Sequence, residues 1–151
     1  MKQYIGTKII KAEPAYRVDG KVFAKANIVP CGYKIEDGYK VVYPDGYESW
    51  SPKDVFEATY RETTGMSFGL AIEAAKMGKR IARAGWNGKG MFLFLATDIE
   101  FHTKADLSCV SELEGDLTLP AFVMKTADDH FCVGWLASQT DMLADDWKIV
   151  E

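Results

Sequence analysis

One run of six apolar residues constrains the fold of this chain most strongly: MFLFLA, at positions 91–96. A strand built from this run has two apolar faces, and neither face suits contact with solvent. Because both faces must be covered, we expect the strand to lie in the middle of a sheet.

The segment before this run predicts a helix and a strand. SFGLAIEAAKMGKR indicates a helix near 67–77, with Ser67 as N-cap and Gly78 as C-cap. Its alanines allow close packing on a sheet. A strand is expected near 80–86, before the glycine-rich stretch NGKG.

The segment after it predicts a hairpin and a second, short helix. PAFVMKT and HFCVGW are β-prone runs, and Ala127-Asp128-Asp129 lies between them as the turn. In the ending LASQTDMLADDW, Ser138 or Thr140 is suited to cap a short helix. These elements predict an antiparallel sheet covered on one face by the helix near 67–77.

The N-terminal third has a different texture, typical of short strands joined by turns. Asp19-Gly20 and Pro44-Asp45-Gly46 each separate two β-prone runs and so indicate two hairpins. A helix is expected next, with Ser51 as N-cap and Pro52 at its first position, ending near Glu62.

These two textures meet at TTG, residues 63–65, which has the composition of a short joint. We therefore predict an α+β protein of two modules. Residues 1–62 form a small β-rich module with one helix, and residues 66–151 form the larger sheet domain. The N-terminal pattern YPDGYESWSPKDVFEATYR is similar to a small module of phage proteins, to which no activity is attached.

Composition places the chain among globular proteins, since 48% of its 151 residues are apolar and 26% are charged. No apolar run reaches the roughly 18 residues of a membrane helix. The N-terminus lacks the apolar core and small-residue cleavage site of a signal peptide, so a cytoplasmic location is expected. The three cysteines are widely spaced without C-x-x-C, which favours apolar filler over a disulfide framework or a zinc site.

The distribution of charged residues along the sequence indicates the kind of ligand better than the net charge of −4 does. That net charge argues against non-specific binding to a nucleic-acid polymer. Residues 74–97, however, contain no acidic residue, and they contain five basic ones: Lys76, Lys79, Arg80, Arg83 and Lys89. Such a segment is suited to a small anionic ligand.

Catalytic patterns are sparse. His102 and His130 lie at no metal-binding spacing with each other or with a cysteine, and G-x-S-x-G is absent from the sequence. Asp141, Asp145 and Asp146 match no known cation loop, so a solvated helix face is the simpler interpretation. The polar connection 97–119 is longer than an ordinary turn, and connections of that length often carry function.

The stretch GWNGKG, residues 85–90, is the remaining candidate. It is not a Walker motif, because no Lys-Ser or Lys-Thr follows, and a strand rather than a helix comes after it. Asn87-Gly88 also suits an ordinary hairpin corner. Trp86 offers a flat face for a purine, and Trp135 precedes side chains that can bond base edges or ribose hydroxyls. The alternative is that both tryptophans belong to the core.

Two stretches together resemble the Thoeris anti-defense 2 family of phage and prophage proteins: MSFGLAIEAAKMGKRIARAGWNGKGMFLFL and PAFVMKTADDHFCVGWLASQTDMLADDW. The resemblance runs from Met66 to about Trp147. It implies a sponge that binds cyclic ADP-ribose isomers, such as the glyco-cyclic ADP-ribose made by bacterial TIR proteins, without cleaving them. Some relatives also take up cyclic dinucleotides. The resemblance further implies a homotetramer in the host cytoplasm, with ligand between protomers and no metal or cofactor.

The resemblance also assigns residues. Trp86 resembles the tryptophan that stacks on the base, and Trp135 its partner across the pocket. Phe68 resembles an aromatic residue at the pocket rim. Polar ligand contacts are expected from Asn87 and from the segment Ser138, Gln139, Thr140 and Asp141. Arg83, which belongs to the basic segment, is a further expected ligand contact.

Two other functions remain open from the sequence. One is a phosphodiesterase or glycohydrolase of the same signals, which needs an acid/base pair or a metal from Glu100, His102 or the Asp141–Asp146 group. The other is a phage structural or protein-interaction module whose two tryptophans are core residues.

Overall fold

The computed structural model describes residues 3, 6–25, 32–86, 90–97 and 120–151. The chain forms two units, Met1–Glu62 and Thr63–Glu151. Each unit is an antiparallel sheet with at least one helix, which confirms the predicted α+β class. The predicted corner Asn87-Gly88 and nearly all of the connection 97–119 lie outside the described residues.

The N-terminal unit is a four-stranded sheet with the order β2-β1-β3-β4. Its strands are β1 (Lys11–Val18), β2 (Lys21–Ala24), β3 (Glu36–Val42) and β4 (Glu48–Pro52). Both predicted hairpins are confirmed. At the first turn Asp19 and Gly20 have φ of 48° and 79°, the left-handed conformation that a two-residue hairpin turn requires.

A close approach in this sheet depends on Gly38. A Cβ atom at this position would lie 2.3 Å from the Ser51 carbonyl oxygen and 2.6 Å from the Trp50 ring. The indole therefore packs directly on the backbone of β3, and the Arg17 guanidinium lies over its ring, 3.9 Å from the centroid. Only glycine fits beneath this indole.

Helix α1 (Lys53–Thr59) differs from the prediction at both ends. The expected N-cap, Ser51, instead pairs with Tyr39 in the sheet, and Pro52 is the cap residue without a side-chain bond. Tyr60 is extended and ends the helix short of Glu62. Phe56 stacks on Tyr39 at 4.1 Å between centroids and thereby holds α1 on β3.

The C-terminal unit is a five-stranded sheet with the order β8-β7-β6-β5-β9. Its strands are β5 (Arg80–Arg83), β6 (Phe92–Ala96), β7 (Ala121–Lys125), β8 (Phe131–Val133) and β9 (Trp147–Val150). Strand β6, built from the apolar run, is the central strand, as predicted. The hairpin β7–β8 is also confirmed. Cys132 lies exposed on the edge strand β8, so its interpretation as apolar filler is wrong.

Strand β9 was not predicted, and β5 is shorter than predicted. A run of four residues after a polar segment is too short to predict a strand from the sequence. Strand β9 is instead fixed by backbone pairing on both of its sides. It pairs along β5, and Met66 exchanges two backbone hydrogen bonds with Trp147 at 2.7 and 3.1 Å. Just beyond β5, the Ala84 amide donates to the Asp146 carbonyl at 3.0 Å, which continues the pairing with the β9 side by one residue.

The described residues of this unit also form two helices, α2 (Phe68–Lys76) and α3 (Gln139–Met142). Helix α2 starts after Ser67 as predicted, and Gly78 just beyond its end has φ of 78°. Its buried face is made of alanines, which pack with four larger core residues: Met66, Ile81, Leu93 and Trp147. Among the residues that the structure describes, no helix is long and apolar enough to cross a membrane.

Candidate ligand-binding site

Four aromatic side chains meet at one end of the C-terminal unit. Trp147 is fully buried, and Phe68, Trp86 and Trp135 are half-buried around it. The centroid of the Trp147 ring lies 5.5 Å from those of Phe68 and Trp86 and 6.2 Å from that of Trp135. The rings of Trp86 and Trp135 also meet edge-on, 6.3 Å apart and inclined at 65°. One buried indole thus supports three partly exposed aromatic surfaces.

Separate elements bring these rings together. Phe68 is the first residue of α2, Trp86 follows β5 by three positions, and Trp135 follows β8 by two. Gly134 has φ of 85°, and the amides of Gly134 and Trp135 both donate to the Phe122 carbonyl at 3.0 Å. This turn, which a residue with a side chain would strain, directs Trp135 back onto the cluster.

A capping box fixes the polar segment next to the rings. The Asp141 amide donates to Ser138 Oγ at 3.2 Å, and the Ser138 amide donates to Asp141 Oδ2 at 3.1 Å. The prediction that Ser138 caps a short helix is confirmed. The Thr140 hydroxyl lies 2.8 Å from that of Ser138, while Gln139 is exposed in the first turn. Three polar side chains are therefore presented beside the rings.

Arg83 links this segment to the end of β5. Its Nε donates to Asp146 Oδ1 at 2.8 Å, and its Nη1 donates to Asp141 Oδ1 at 2.9 Å. The Trp86 indole donates a longer bond of 3.4 Å to the same Asp141 oxygen. The Trp147 indole donates to the Asp141 backbone carbonyl at 2.9 Å. Arg83 and Asp141 are 18% and 13% exposed, so their attraction is only partly screened by water.

The hydrogen bonds set the charge states of these groups. Burial raises the pKa of Asp141, but bonds from Ser138, Arg83 and Trp86 outweigh burial and bring the pKa below the ordinary value of 3.8. The Arg83 bond likewise lowers the pKa of Asp146. The two carboxylates raise the pKa of the Arg83 guanidinium. At neutral pH the network therefore carries one positive and two negative charges.

Most of the sequence-predicted site residues lie around this cluster: Phe68, Arg83, Trp86, Trp135, Ser138, Gln139, Thr140 and Asp141. Asn87 lies outside the described residues, so its assignment stays a prediction. Sequence reasoning did not identify Trp147 and Asp146 as parts of the site. The prediction of a solvated helix face for Asp141, Asp145 and Asp146 is wrong for two of them, because Asp141 and Asp146 both accept hydrogen bonds from Arg83.

Of the candidates for catalysis, Asp141 and Asp146 lie in the Arg83 network. Glu100 and His102 lie outside the described residues. His130 lies in the β7–β8 turn, with its Nδ1 3.1 Å from Asp128 Oδ2. Within the described ranges, no three His, Cys, Asp or Glu side chains come close enough together to hold a metal ion.

Known proteins resemble the same part of the chain that forms the aromatic cluster. Residues 66–150 match the Thoeris anti-defense 2-like domain, which spans every residue of the aromatic cluster and its polar network. Over 87 residues the chain is 40% identical to Thoeris anti-defense 2 of Bacillus phage SP01, and this match covers 58% of the chain and 97% of the phage protein. The chain belongs to the Thoeris anti-defense 2-like family.

Proposed function

We propose that the C-terminal unit binds and sequesters cyclic ADP-ribose-type signals made by TIR proteins, with glyco-cyclic ADP-ribose as the main ligand, without cleaving them. One observation carries the proposal. In a domain of this family, two half-buried tryptophans, Trp86 and Trp135, are held side by side on the buried Trp147. The protein acts in the cytoplasm of the infected bacterium, where it keeps a Thoeris defence inactive.

The chemistry of the ligand fits the residues around the rings. An adenine base stacks on an indole with a gain of roughly 1–3 kcal/mol. Ser138, Gln139 and Thr140 supply hydroxyl and amide groups for base edges and ribose hydroxyls, and Phe68 lies at the rim. Asn87 is proposed as a further polar contact on the strength of the family resemblance.

The inclination of the two indoles supports a site completed by a second protomer. Planes inclined at 65° cannot both stack on the same flat base. Each indole therefore offers one stacking face, and a neighbouring chain supplies the opposite wall. We propose a homotetramer with ligand between protomers.

Exposed apolar side chains support this assembly. Leu136 is 89% exposed and Leu143 is 82% exposed, and both lie within a few residues of Trp135 or α3. Such exposure is typical of surfaces that a partner covers. Light scattering should give four times the chain mass of 16.9 kDa.

Retention without cleavage is supported by the acidic groups of the site. Asp141 and Asp146 both accept hydrogen bonds from Arg83, and their lowered pKa values keep them ionised. An ionised carboxylate is poorly suited to act as a general acid. The oxygens of both groups already accept bonds from Arg83, the Gly85 amide and Ser138, which disfavours a role as general base or nucleophile. These two groups act as fixed hydrogen-bond acceptors.

The test is calorimetric titration of the purified protein with glyco-cyclic ADP-ribose, followed by heat denaturation and chromatography of the released ligand. Binding with intact recovery supports the sponge, whereas recovery of a cleaved product supports the phosphodiesterase or glycohydrolase instead. Parallel titrations with cyclic dinucleotides test the second ligand class. If neither class binds, the proposal is wrong and the structural or interaction module remains.

A further inference from the structure

Arg83 lies between two carboxylates that come from different parts of the C-terminal segment. Asp146 accepts from its Nε, and Asp141 accepts from its Nη1, at 2.8 and 2.9 Å. A third bond of 3.3 Å runs from Nη1 to the Thr140 carbonyl. The planar guanidinium therefore joins β5 to the start of α3 and to the residue before β9.

The remaining oxygens of both carboxylates are also engaged. Asp146 Oδ2 accepts from the Gly85 amide at 2.8 Å, and a Cβ atom at Gly85 would lie 2.9 Å from that oxygen. Asp141 Oδ2 accepts from the hydroxyl of Ser138 at 2.6 Å and from its amide at 3.1 Å. The network thus reaches Gly85, next to Trp86, at one end and Ser138, the first residue of the polar segment, at the other.

We propose that Arg83 and Asp146 are positioning residues, which hold Trp86 and the segment Ser138–Asp141 in place for the ligand without touching its phosphates. What the site binds rests on the proposed function. The positioning itself rests on the network alone.

The alternative role for Arg83 is direct contact with a ligand phosphate. A phosphate at the guanidinium would have to compete with the two carboxylates, to which Nε and Nη1 already make charge-assisted bonds of 2.8 and 2.9 Å. It would also approach two carboxylates that leave the network with a net charge of −1. Both effects oppose direct contact with a phosphate. The guanidinium therefore holds the site residues in position and does not supply positive charge to the ligand.

The two roles predict opposite signs for Asp146→Asn. If Arg83 bound phosphate, loss of the competing carboxylate would free the guanidinium and tighten binding. If Asp146 positions Gly85 and Arg83, the asparagine side chain keeps only one of the two acceptor oxygens of the carboxylate, and the affinity for the ligand falls. We expect the dissociation constant for glyco-cyclic ADP-ribose to rise roughly tenfold.

Arg83→Lys and Arg83→Gln give the second comparison. Lysine keeps the charge but cannot bridge two carboxylates with one planar group. A positioning role predicts that both variants lose affinity to a similar extent and keep the salt dependence of the wild type. A phosphate contact predicts that lysine retains most of the affinity and that glutamine weakens the salt dependence.

Arg80→Gln is the matched control. Arg80 lies on the same strand, but its side chain points to the opposite face and lies over Phe92. Arg80→Gln removes the same charge as Arg83→Gln without breaking the network, so the affinity for glyco-cyclic ADP-ribose should stay within about twofold of the wild type.

A readout without ligand separates this proposal from the proposed function. The contacts among Trp86, Trp135 and Trp147 give a near-ultraviolet circular dichroism signal that depends on ring geometry. We expect Arg83→Lys and Asp146→Asn to change this signal and Arg80→Gln to leave it unchanged. If the wild type binds no ligand, the proposed function fails while this result still decides the positioning role. An unchanged signal, or tighter binding by Asp146→Asn, would overturn it.

Discussion

The buried indole of Trp147 donates a hydrogen bond of 2.9 Å to the backbone carbonyl of Asp141. This bond ties the core of the C-terminal unit to the segment that carries the polar site residues. It also explains why a tryptophan, rather than a smaller aromatic residue, fills this position: the ring supplies the packing surface, and its N–H satisfies the end of α3.

Trp147→Phe should therefore destabilise the C-terminal unit by about 2–3 kcal/mol, through the lost hydrogen bond and the cavity left by the smaller ring. Urea unfolding followed by far-ultraviolet circular dichroism measures the loss without relying on tryptophan emission. Trp135→Phe is the control, since Trp135 is only half-buried, and it should cost clearly less. Equal losses in the two variants would contradict the central role of Trp147.

The sequence predicts those parts of the fold whose cause is local. Asp19-Gly20 specifies its own turn, Ser138 caps its own helix, and the apolar run at 91–96 forms the middle strand of its sheet. The site was less predictable. Arg83 and Asp146 are 63 residues apart, and nothing near either residue indicates the partner.

The same limit applies to β9 and to Trp147. Four residues have too short a pattern to identify a strand, and pairing with Arg80–Arg83 and with Met66 supplies what the local sequence lacks. For α1, local cap rules gave the wrong residue because Ser51 is already paired in the sheet. Contacts between residues far apart in the sequence therefore determine β9 and the start of α1.

Replacement of the exposed rings should separate binding from folding. Trp86→Ala and Trp135→Ala each remove a stacking face worth roughly 1–3 kcal/mol, so the affinity for glyco-cyclic ADP-ribose should fall about 5- to 150-fold. Both variants should keep the far-ultraviolet spectrum of the folded chain, because Trp147 continues to fill the core. Trp86→Phe keeps a flat ring and should lose less affinity. Unfolding of the alanine variants would instead favour the structural module.

The acidic network predicts a specific loss of stability in acid. Asp141 and Asp146 have pKa values below the ordinary 3.8, so their contribution is complete above that value and is lost as the pH falls through their lowered pKa values. Unfolding free energy measured between about pH 5 and pH 2 should therefore fall more steeply for the wild type than for Asp146→Asn. Asp145→Asn changes the exposed neighbour and should follow the wild type. Parallel curves for all three proteins would contradict a stabilising role of the network.

The C-terminal unit should fold and bind by itself. The match to Thoeris anti-defense 2 of Bacillus phage SP01 spans 97% of that protein, which therefore has room for little beyond this domain. A fragment of residues 63–151 keeps Thr63, whose carbonyl accepts from the Ile149 amide at 2.9 Å. Its affinity for glyco-cyclic ADP-ribose should lie within about twofold of the full chain. A fragment that folds but does not bind would place part of the site in residues 1–62.

Gly38→Ala tests the same independence in the intact chain. The new Cβ atom would lie 2.3 Å from the Ser51 carbonyl oxygen, and backbone paired across two strands cannot move away cheaply. We expect the N-terminal unit to lose about 2–3 kcal/mol or more, as overpacked cores do. Gly6→Ala is the control, because among the described residues beyond its chain neighbours no atom lies within 4 Å of its added Cβ. Thermal unfolding should detect the change in Gly38→Ala alone, while calorimetric titration should give both variants the ligand affinity of the wild type. Loss of binding in Gly38→Ala would show that the N-terminal unit contributes to the site.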